Sequence, residues 1–526
     1  MASTSLPLAI IRQRALPRWL EAAWPVVGVA AVAAAVLLPG LGTNRLEDWD
    51  EAIFAQISRE MLRSGDWLTP HWGYEPYFNK PPLLMWLTAS VYLVLGVGEA
   101  AARSVSALSG IGVVVVAYLI GREAYGRGVG LLSALVLLTG EQFVRASRFG
   151  TTDVLLTLSL SVAAYGYLLT LRRSPRWWCL SGAAFGVACM VKGAGALVAP
   201  AAIGLTLLLD RRVGVTLRSR FFWYGAVLAL AIALPWHAYM YAEHGTEWVD
   251  RYLAYNVVDR ATEPIEGHDA DPDFYLEILQ ENFLPWVYLL PVALALAMQG
   301  TLGPSARARI VIVQALLVFL LYSFVGTKLR WYIMPMYPML AVMVAATLRA
   351  ALADIRSAAA AGLLVACVGA VLEASFALQV AFGAVAVLAV AGALAKLPLA
   401  PRLVAPAAVL LLAAVGAGTV WPVYRHDEGQ ERGATLAMLA RAQGATSPDP
   451  LLLISGMNRP TALFYGDRAV VHVKDSEDLP ARVEAQGSVD VIVKDADARP
   501  LRASYRFDTL AEHDGIVYAR VRPPAQ

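Results

Sequence analysis

Residues 104–120 read SVSALSGIGVVVVAYLI, without one charged side chain, and lead through the loop GREAYGRG, with Arg122 and Arg127, into a second apolar run at 129–143. An apolar run, an arginine loop and another apolar run make a membrane hairpin, because the hydrocarbon core excludes charge and short loops that keep Arg stay cytoplasmic. Further runs extend outward at 22–41, 154–171, 177–191, 194–209, 221–241, 283–298, 310–325, 331–348, 358–376, 378–395 and 403–421. They amount to about thirteen crossings at ~20 residues each. Composition agrees: of 526 residues 58% are hydrophobic and 16% charged, where soluble domains are about a quarter charged. The expected fold is a polytopic α-helical membrane protein. A net charge of +2 leaves no basic excess for nucleic acid. Cys179, Cys189 and Cys367 lie in apolar stretches without metal-ligand spacing.

Loop charge sets the direction of the chain. Arg12, Arg14 and Arg18, then Arg122 with Arg127, Arg172 with Arg173 and Arg176, Arg211 with Arg212, Arg218 and Arg220, Arg307 with Arg309, Arg349 with Arg356, and Lys396 with Arg402 fill every second connection. The parity holds only if the apolar run 81–97 lies along or dips into the outer face, so residues 42–103 form one long external loop and 242–282 another. The chain then divides into a membrane domain, 1–421, and a soluble extracytoplasmic domain, 422–526. The latter carries 28 charged side chains in 105 residues, against 56 in the preceding 421. Its β-rich runs at 451–454, 469–473, 489–493 and 516–521 predict a small α/β domain.

The external loops hold polar residues that a purely lipid-facing role leaves unexplained. Of only six lysines, Lys80, Lys192 and Lys328 fall on the outer side, against the positive-inside tendency. Three cations converging on one face point to an anionic ligand; the bland alternative is snorkelling to headgroups. Residues 51–64 place apolar side chains at helical spacing and predict an amphipathic helix on the membrane surface, with Asp50 at its N-cap. A carboxylate at that boundary is a candidate general base. Tyr77-Phe78-Asn79-Lys80-Pro81-Pro82 is a rigid turn that holds a lysine, Asp153 starts a span on the same side, and the 242–282 loop contributes Arg260 and His268.

Asp50-Glu51, the stretch from Ile57 to Met61 with Ser64-Gly65-Asp66-Trp67, the Tyr77 to Pro82 turn, Asp153, Met190-Val191-Lys192-Gly193, Leu234-Pro235-Trp236, Leu284-Pro285-Trp286 and Lys328-Leu329 with Tyr332-Ile333 occur in an order that resembles one family. These are the membrane glycosyltransferases of C-type fold, which include the protein O-mannosyltransferases and the lipid A aminoarabinose transferases. The resemblance covers roughly residues 20 to 350. It implies inverting transfer of a sugar from a polyprenyl-phosphate donor to a lipid A-like or other lipid or protein acceptor, on the outer face of a bacterial inner membrane. It also implies a catalytic role for Asp50, donor-phosphate contacts from Lys80 and Arg260, and cavity contacts from Lys192 and Tyr332; Glu51 is expected to share the catalytic site with Asp50, and Asn79, Asp153, His268 and Lys328 are expected to contact substrate. The aminoarabinose transferases carry a zinc-ligating glutamate where this chain has Asn79. A neutral amide is a poor zinc ligand, so no cofactor is expected. The rival class is a transporter or flippase of a lipid-linked substrate; such proteins place ionisable groups or repeated halves around the bilayer midplane, and this chain shows no internal repeat.

Overall fold

The computed structural model describes residues 18–268, 270–298, 306–353, 413–424 apart from 415 and 416, 451–454, 460–466, 470–473, 483–513 apart from 486, and 515–524. In chain order the elements are α1 (Arg18–Leu37), α2 (Asp50–Ser64), the two-residue strands β1 (His71–Trp72) and β2 (Glu75–Pro76), α3 (Leu83–Leu95), α4 (Glu99–Tyr125), α5 (Arg127–Leu138), α6 (Glu141–Ser147), α7 (Thr152–Arg172), α8 (Trp178–Lys192) and α9 (Val198–Leu209). Then come α10 (Val213–Leu217), α11 (Arg220–Val249), a π-helical turn Asp250–Asp259, α12 (Arg260–Thr262), α13 (Phe274–Asn282), α14 (Leu290–Met298), α15 (Ala306–Phe324) and α16 (Tyr337–Ala353). The C-terminal part holds β3 (Leu451–Ile454), α17 (Pro460–Gly466), β4 (Val470–Val473), β5 (Val489–Lys494), α18 (Asp495–Ser504), β6 (Arg506–His513) and β7 (Ile516–Arg522).

Among the described residues six helices are long and apolar enough to cross a membrane, or up to eight if each bent pair is one span. The expectation of about thirteen is therefore met only by its coarser part, a polytopic helical membrane protein; the runs 358–376 and 378–395, and most of 403–421, lie outside the described residues. One long helical stretch, 175–209, is a hairpin. Trp178 at its start packs on Tyr167, ring centroids 5.8 Å apart, and Asp210 just past its end accepts the Tyr167 hydroxyl at 3.4 Å. The chain must therefore reverse between them, and it does so at Gly193, whose φ of 47° suits a residue without Cβ.

The bundle has two chemically different ends. At one, Arg172 and Arg173 pair with the buried Glu123, Arg309 pairs with Asp210, and Arg349 lies against Gly128. Those arginines belong to the alternate loops already grouped by the sequence. At the other end are the loop before α2, the start of α7, the end of α8 and the connections around Arg260 and Lys328. Between the ends, α8 and α11 cross through Gly182, Gly186 and Gly225. A Cβ on Gly182 would overlap the Gly225 carbonyl, and one on Gly186 would meet the Ala229 oxygen at 2.8 Å. Small residues let two backbones approach where lipid supplies no hydrophobic drive.

Two expectations change at α2. Its first residue is Asp50, and the position before it is Trp49, at φ 73° and ψ −132° with no side-chain cap, so Asp50 is not the N-cap. Nor does the helix lie on a membrane surface, because every residue from Glu51 to Met61 is buried. The apolar face carries Ile53, Phe54, Ile57 and Met61 into the bundle core. The polar face is covered as well: Arg59 donates to the carbonyls of Phe464 at 2.7 Å and Leu463 at 3.0 Å, and Glu60 accepts the backbone N–H groups of Gly73 and Tyr74, each at 3.0 Å. The amphipathic pattern is real, with protein on both faces. The helix α3 has thirteen residues, which rise about 20 Å against a ~30 Å hydrocarbon core.

The residues expected as strands form four strands of a five-stranded sheet ordered β4-β3-β5-β7-β6, in which β4, β3 and β5 are parallel and β7 and β6 antiparallel. The strand the sequence did not declare is β6, an edge strand carrying Arg506, Asp508 and Glu512. The expected domain boundary at 422 adjoins residues 425–450, which lie outside the described ones.

Candidate active site

The site grows from the loop ahead of α2. Arg103, on α4, spends all five N–H groups there. Its Nε and one Nη2 hydrogen go to Glu51, at 2.7 and 2.8 Å, and the others to the carbonyls of Leu41 at 2.9 Å, Asn44 at 2.7 Å and Arg45 at 2.7 Å. Glu51 also accepts the N–H groups of Gly150 at 2.9 Å and Glu47 at 2.8 Å, and is wholly buried. Its lone pairs are spoken for, so Glu51 holds the loop and does not face a substrate; the catalytic role expected for it beside Asp50 gives way to a structural one.

Asp50, one residue earlier, is half-buried and points the other way. Among the described residues nothing hydrogen-bonds to its carboxylate, and it lies within electrostatic reach of Lys80, Asp153, Lys192 and Arg260. Burial pushes the Asp50 carboxyl above the ordinary carboxylate range, reinforced by Asp153 and opposed by the three cations. Burial, with Lys192 and Arg260, brings the Lys80 ammonium down to about 8 against the pull of Asp50 and Asp153. Five residues spread over more than two hundred positions thus converge.

Asp153 and Lys192 meet because α7 and α8 are antiparallel neighbours, one beginning where the other ends. Lys192 Nζ donates to Asp153 Oδ1 at 2.5 Å and sits 4.9 Å from the ring centre of Tyr332. Asp153 is no mere helix cap, and among the described residues its second oxygen, Oδ2, is buried without a partner. Arg260 donates to Glu266 at 2.7 Å, while its buried Nε likewise has no partner among the described residues. A buried unpaired donor and acceptor are costly unless a ligand meets them.

Asn79 lies beside this cluster, its carbonyl oxygen accepting from Arg251 Nε and Asn256 Nδ2, both at 3.2 Å. That oxygen is taken by two donors, one of them a guanidinium, and a neutral amide beside a cation is a poor zinc ligand. Among the described residues, which omit Asp269, no three His, Cys, Asp or Glu side chains are grouped to hold a metal ion. His268 and Lys328 are brought together, but as a brace. The Lys328 N–H donates to the His268 carbonyl at 3.2 Å, and its ammonium to that of Ala270 at 2.9 Å. The residues missed by sequence reasoning are Arg103, Glu266 and Asn256. Arg103 had a signal: it is an arginine on the outer side, subject to the same argument as the three lysines.

Comparison with known proteins extends the picture. Residues 79–239 match the family model described as dolichyl-phosphate-mannose-protein mannosyltransferase. The undecaprenyl phosphate-alpha-4-amino-4-deoxy-L-arabinose arabinosyl transferase of Pseudomonas savastanoi pv. phaseolicola is 33% identical over 323 residues, 60% of each chain. The crystal structure of ArnT from Cupriavidus metallidurans bound to undecaprenyl phosphate superposes with a TM-score of 0.75 at 25% identity, over 95% of this chain and 98% of that one. These likenesses support a membrane glycosyltransferase of the C-type superfamily. The archaeal oligosaccharyltransferase AglB of Archaeoglobus fulgidus, at TM-score 0.57 and 14% identity over 90% of this chain and 70% of that one, shares the superfamily fold. The chain spans 54% to 60% of the length of the first curated relatives it matches in sequence.

Proposed function

We propose that this chain transfers a sugar from a polyprenyl-phosphate donor to an acceptor hydroxyl, at the end of the bundle opposite the arginine loops and outside the cytoplasm. The observation that carries this reading is the group formed by Asp50, free of hydrogen bonds, with Lys80, Lys192 and Arg260. Asp50 takes the proton of the acceptor hydroxyl, whose oxygen attacks the anomeric carbon from the face opposite the phosphate. The anomeric carbon–oxygen bond breaks, the configuration inverts, and polyprenyl phosphate leaves with the bonding pair. Lys80 and Arg260 meet the charge that develops on the phosphate, where fixed donors in a sheltered site are worth most. Asp153 orients Lys192 and keeps one oxygen for the sugar. Asn79 is a hydrogen-bonding residue of the sugar site, and no metal enters the mechanism. The names of the relatives support undecaprenyl phosphate as the carrier; the acceptor proposed is an envelope glycolipid of lipid A type.

Binding of undecaprenyl phosphate, and its release from a donor-lipid extract of cells lacking the protein, test the reading together. Asp50→Asn is expected to bind the carrier normally and lose turnover by a factor on the order of 10² to 10⁴, the usual worth of a general base. Lys80→Ala is expected to lose carrier affinity first. Turnover by Asp50→Asn within a few-fold of the native protein would sink the assignment.

A further inference from the structure

The residue ahead of Asp50 is under strain that its own side chain does not hold. Trp49 stands at φ 73° and ψ −132°, a region that bulky residues avoid, and its indole is 56% exposed. The geometry has to be imposed by its neighbours. On the bundle side Glu51 and Arg103 pin the loop, as described. On the other side stands α17, four hundred residues away in sequence. Asp48 Oδ1 accepts both the backbone N–H of Thr461, at 3.0 Å, and its hydroxyl, at 2.6 Å. The hydroxyl of Tyr465 accepts the Leu46 N–H at 2.8 Å and donates to Glu99 at 2.9 Å. Arg59 meanwhile ties the carbonyls of Leu463 and Phe464 to α2. Thr461 and Tyr465 are both buried.

We propose that α17 is a positioning element of the active site: through Thr461 on Asp48 and Tyr465 on Leu46 and Glu99, it fixes the loop that aims the Asp50 carboxylate. This rests on the reading of Asp50 as the general base. Without the clamp the peptide at Trp49 relaxes out of its strained region and turns Asp50 away from the acceptor, while Lys80 and Arg260, held by other elements, keep their place. The C-terminal sheet domain then contributes to turnover without touching the substrate.

The test is the full-length double variant Thr461→Val with Tyr465→Phe, which keeps the bulk of both side chains and removes both hydroxyls. Hydrogen exchange in residues 46–52 should rise. Release of undecaprenyl phosphate from the donor-lipid extract should fall roughly ten- to a hundredfold, the scale of a small misplacement of a catalytic group. Affinity for undecaprenyl phosphate itself should be unchanged. Native exchange and turnover, or an equal loss of affinity and turnover, would overturn the proposal. Asp50→Asn runs beside it: if that variant keeps turnover, the assignment of the base has failed, whereas an inactive Asp50→Asn with a fully active double variant removes only the clamp. Should the double variant give no folded protein, Asp48→Asn and Asp48→Ala decide. Asparagine keeps an acceptor for Thr461, so rescue by Asn relative to Ala supports the clamp, and equal activity of the two counts against it.

Discussion

Adjacent carboxylates can have opposite fates. Glu51 is saturated by Arg103 and two backbone N–H groups, and Asp50 is left unsatisfied beside cations. Removing one partner of a buried pair strands the other charge, at a cost of about 3–5 kcal/mol. Arg103→Ala should therefore lower the melting temperature and yield of the purified protein, whereas Asp50→Asn leaves both unchanged; equal thermal stability of the two variants would contradict this division. The titrating pair sets the pH profile. As the proposed base, Asp50 must be ionised to accept a proton, and burial raises its pKa, so activity should be lost with acid at a pH above the ordinary carboxylate range. Lys80, the proposed phosphate contact, must be charged for that role, and with its pKa lowered to about 8 the charge is lost as pH rises through about 8. The profile of kcat/KM, which reports the free enzyme, should be a bell whose alkaline limb lies near pH 8 and disappears in Lys80→Ala. An unchanged alkaline limb in that variant would assign it to another group.

The glycines of the α8–α11 crossing act through an element. Gly186 lets α8 approach Ala229 so closely that a Cβ would meet its carbonyl oxygen at 2.8 Å, so Gly186→Val must push the helices apart. Overpacking of this kind costs about 1–3 kcal/mol, and because Lys192 ends the same helix, the variant should lose turnover more than Gly166→Ala on α7, whose single methyl would press the Ser181 backbone on the other side of α8. Thermal melting and turnover of the two variants compare them directly. Elements were also where reading from sequence succeeded and stopped. The spacing of Ile53, Phe54, Ile57 and Met61 declared α2 and its apolar face, because helical period is local. That Arg59 and Glu60 on the other face are buried was illegible, since their cover comes from Phe464 and the turn at Gly73. For β6 the reason is chemical: an edge strand pairs on one side only, and its charged residues hide the apolar signal. At the site, the outer-side lysines were visible by their anomaly and Asp50 by its place at the membrane boundary, while the brace role of Lys328 depends on the carbonyl of Ala270 and leaves no trace in residue type.

Across the whole molecule, sidedness is what joins the chemistry to its compartment. Glu123 with Arg172 and Arg173, and Asp210 with Arg309, gather the arginine loops at one end. Asp50, Lys80, Arg260 and, through α17, the C-terminal sheet lie at the other. Short arginine-rich loops stay in the cytoplasm, so the site end should face outward. Three exposed positions read this out: Glu75 in the first long loop and Arg506 on β6 at the site end, and Arg218 between α10 and α11 at the arginine end. With Cys179, Cys189 and Cys367 replaced by alanine, single cysteines at 75 and 506 should react with a membrane-impermeant thiol reagent in intact cells, and one at 218 only after permeabilisation. Labelling of 218 in intact cells, with 75 and 506 protected, would invert the molecule and put Asp50 in the cytoplasm. Protection of 75 alone would mean that α3 crosses after all, and would separate the Asp50 loop from the C-terminal sheet that Arg59 and Asp48 are seen to hold.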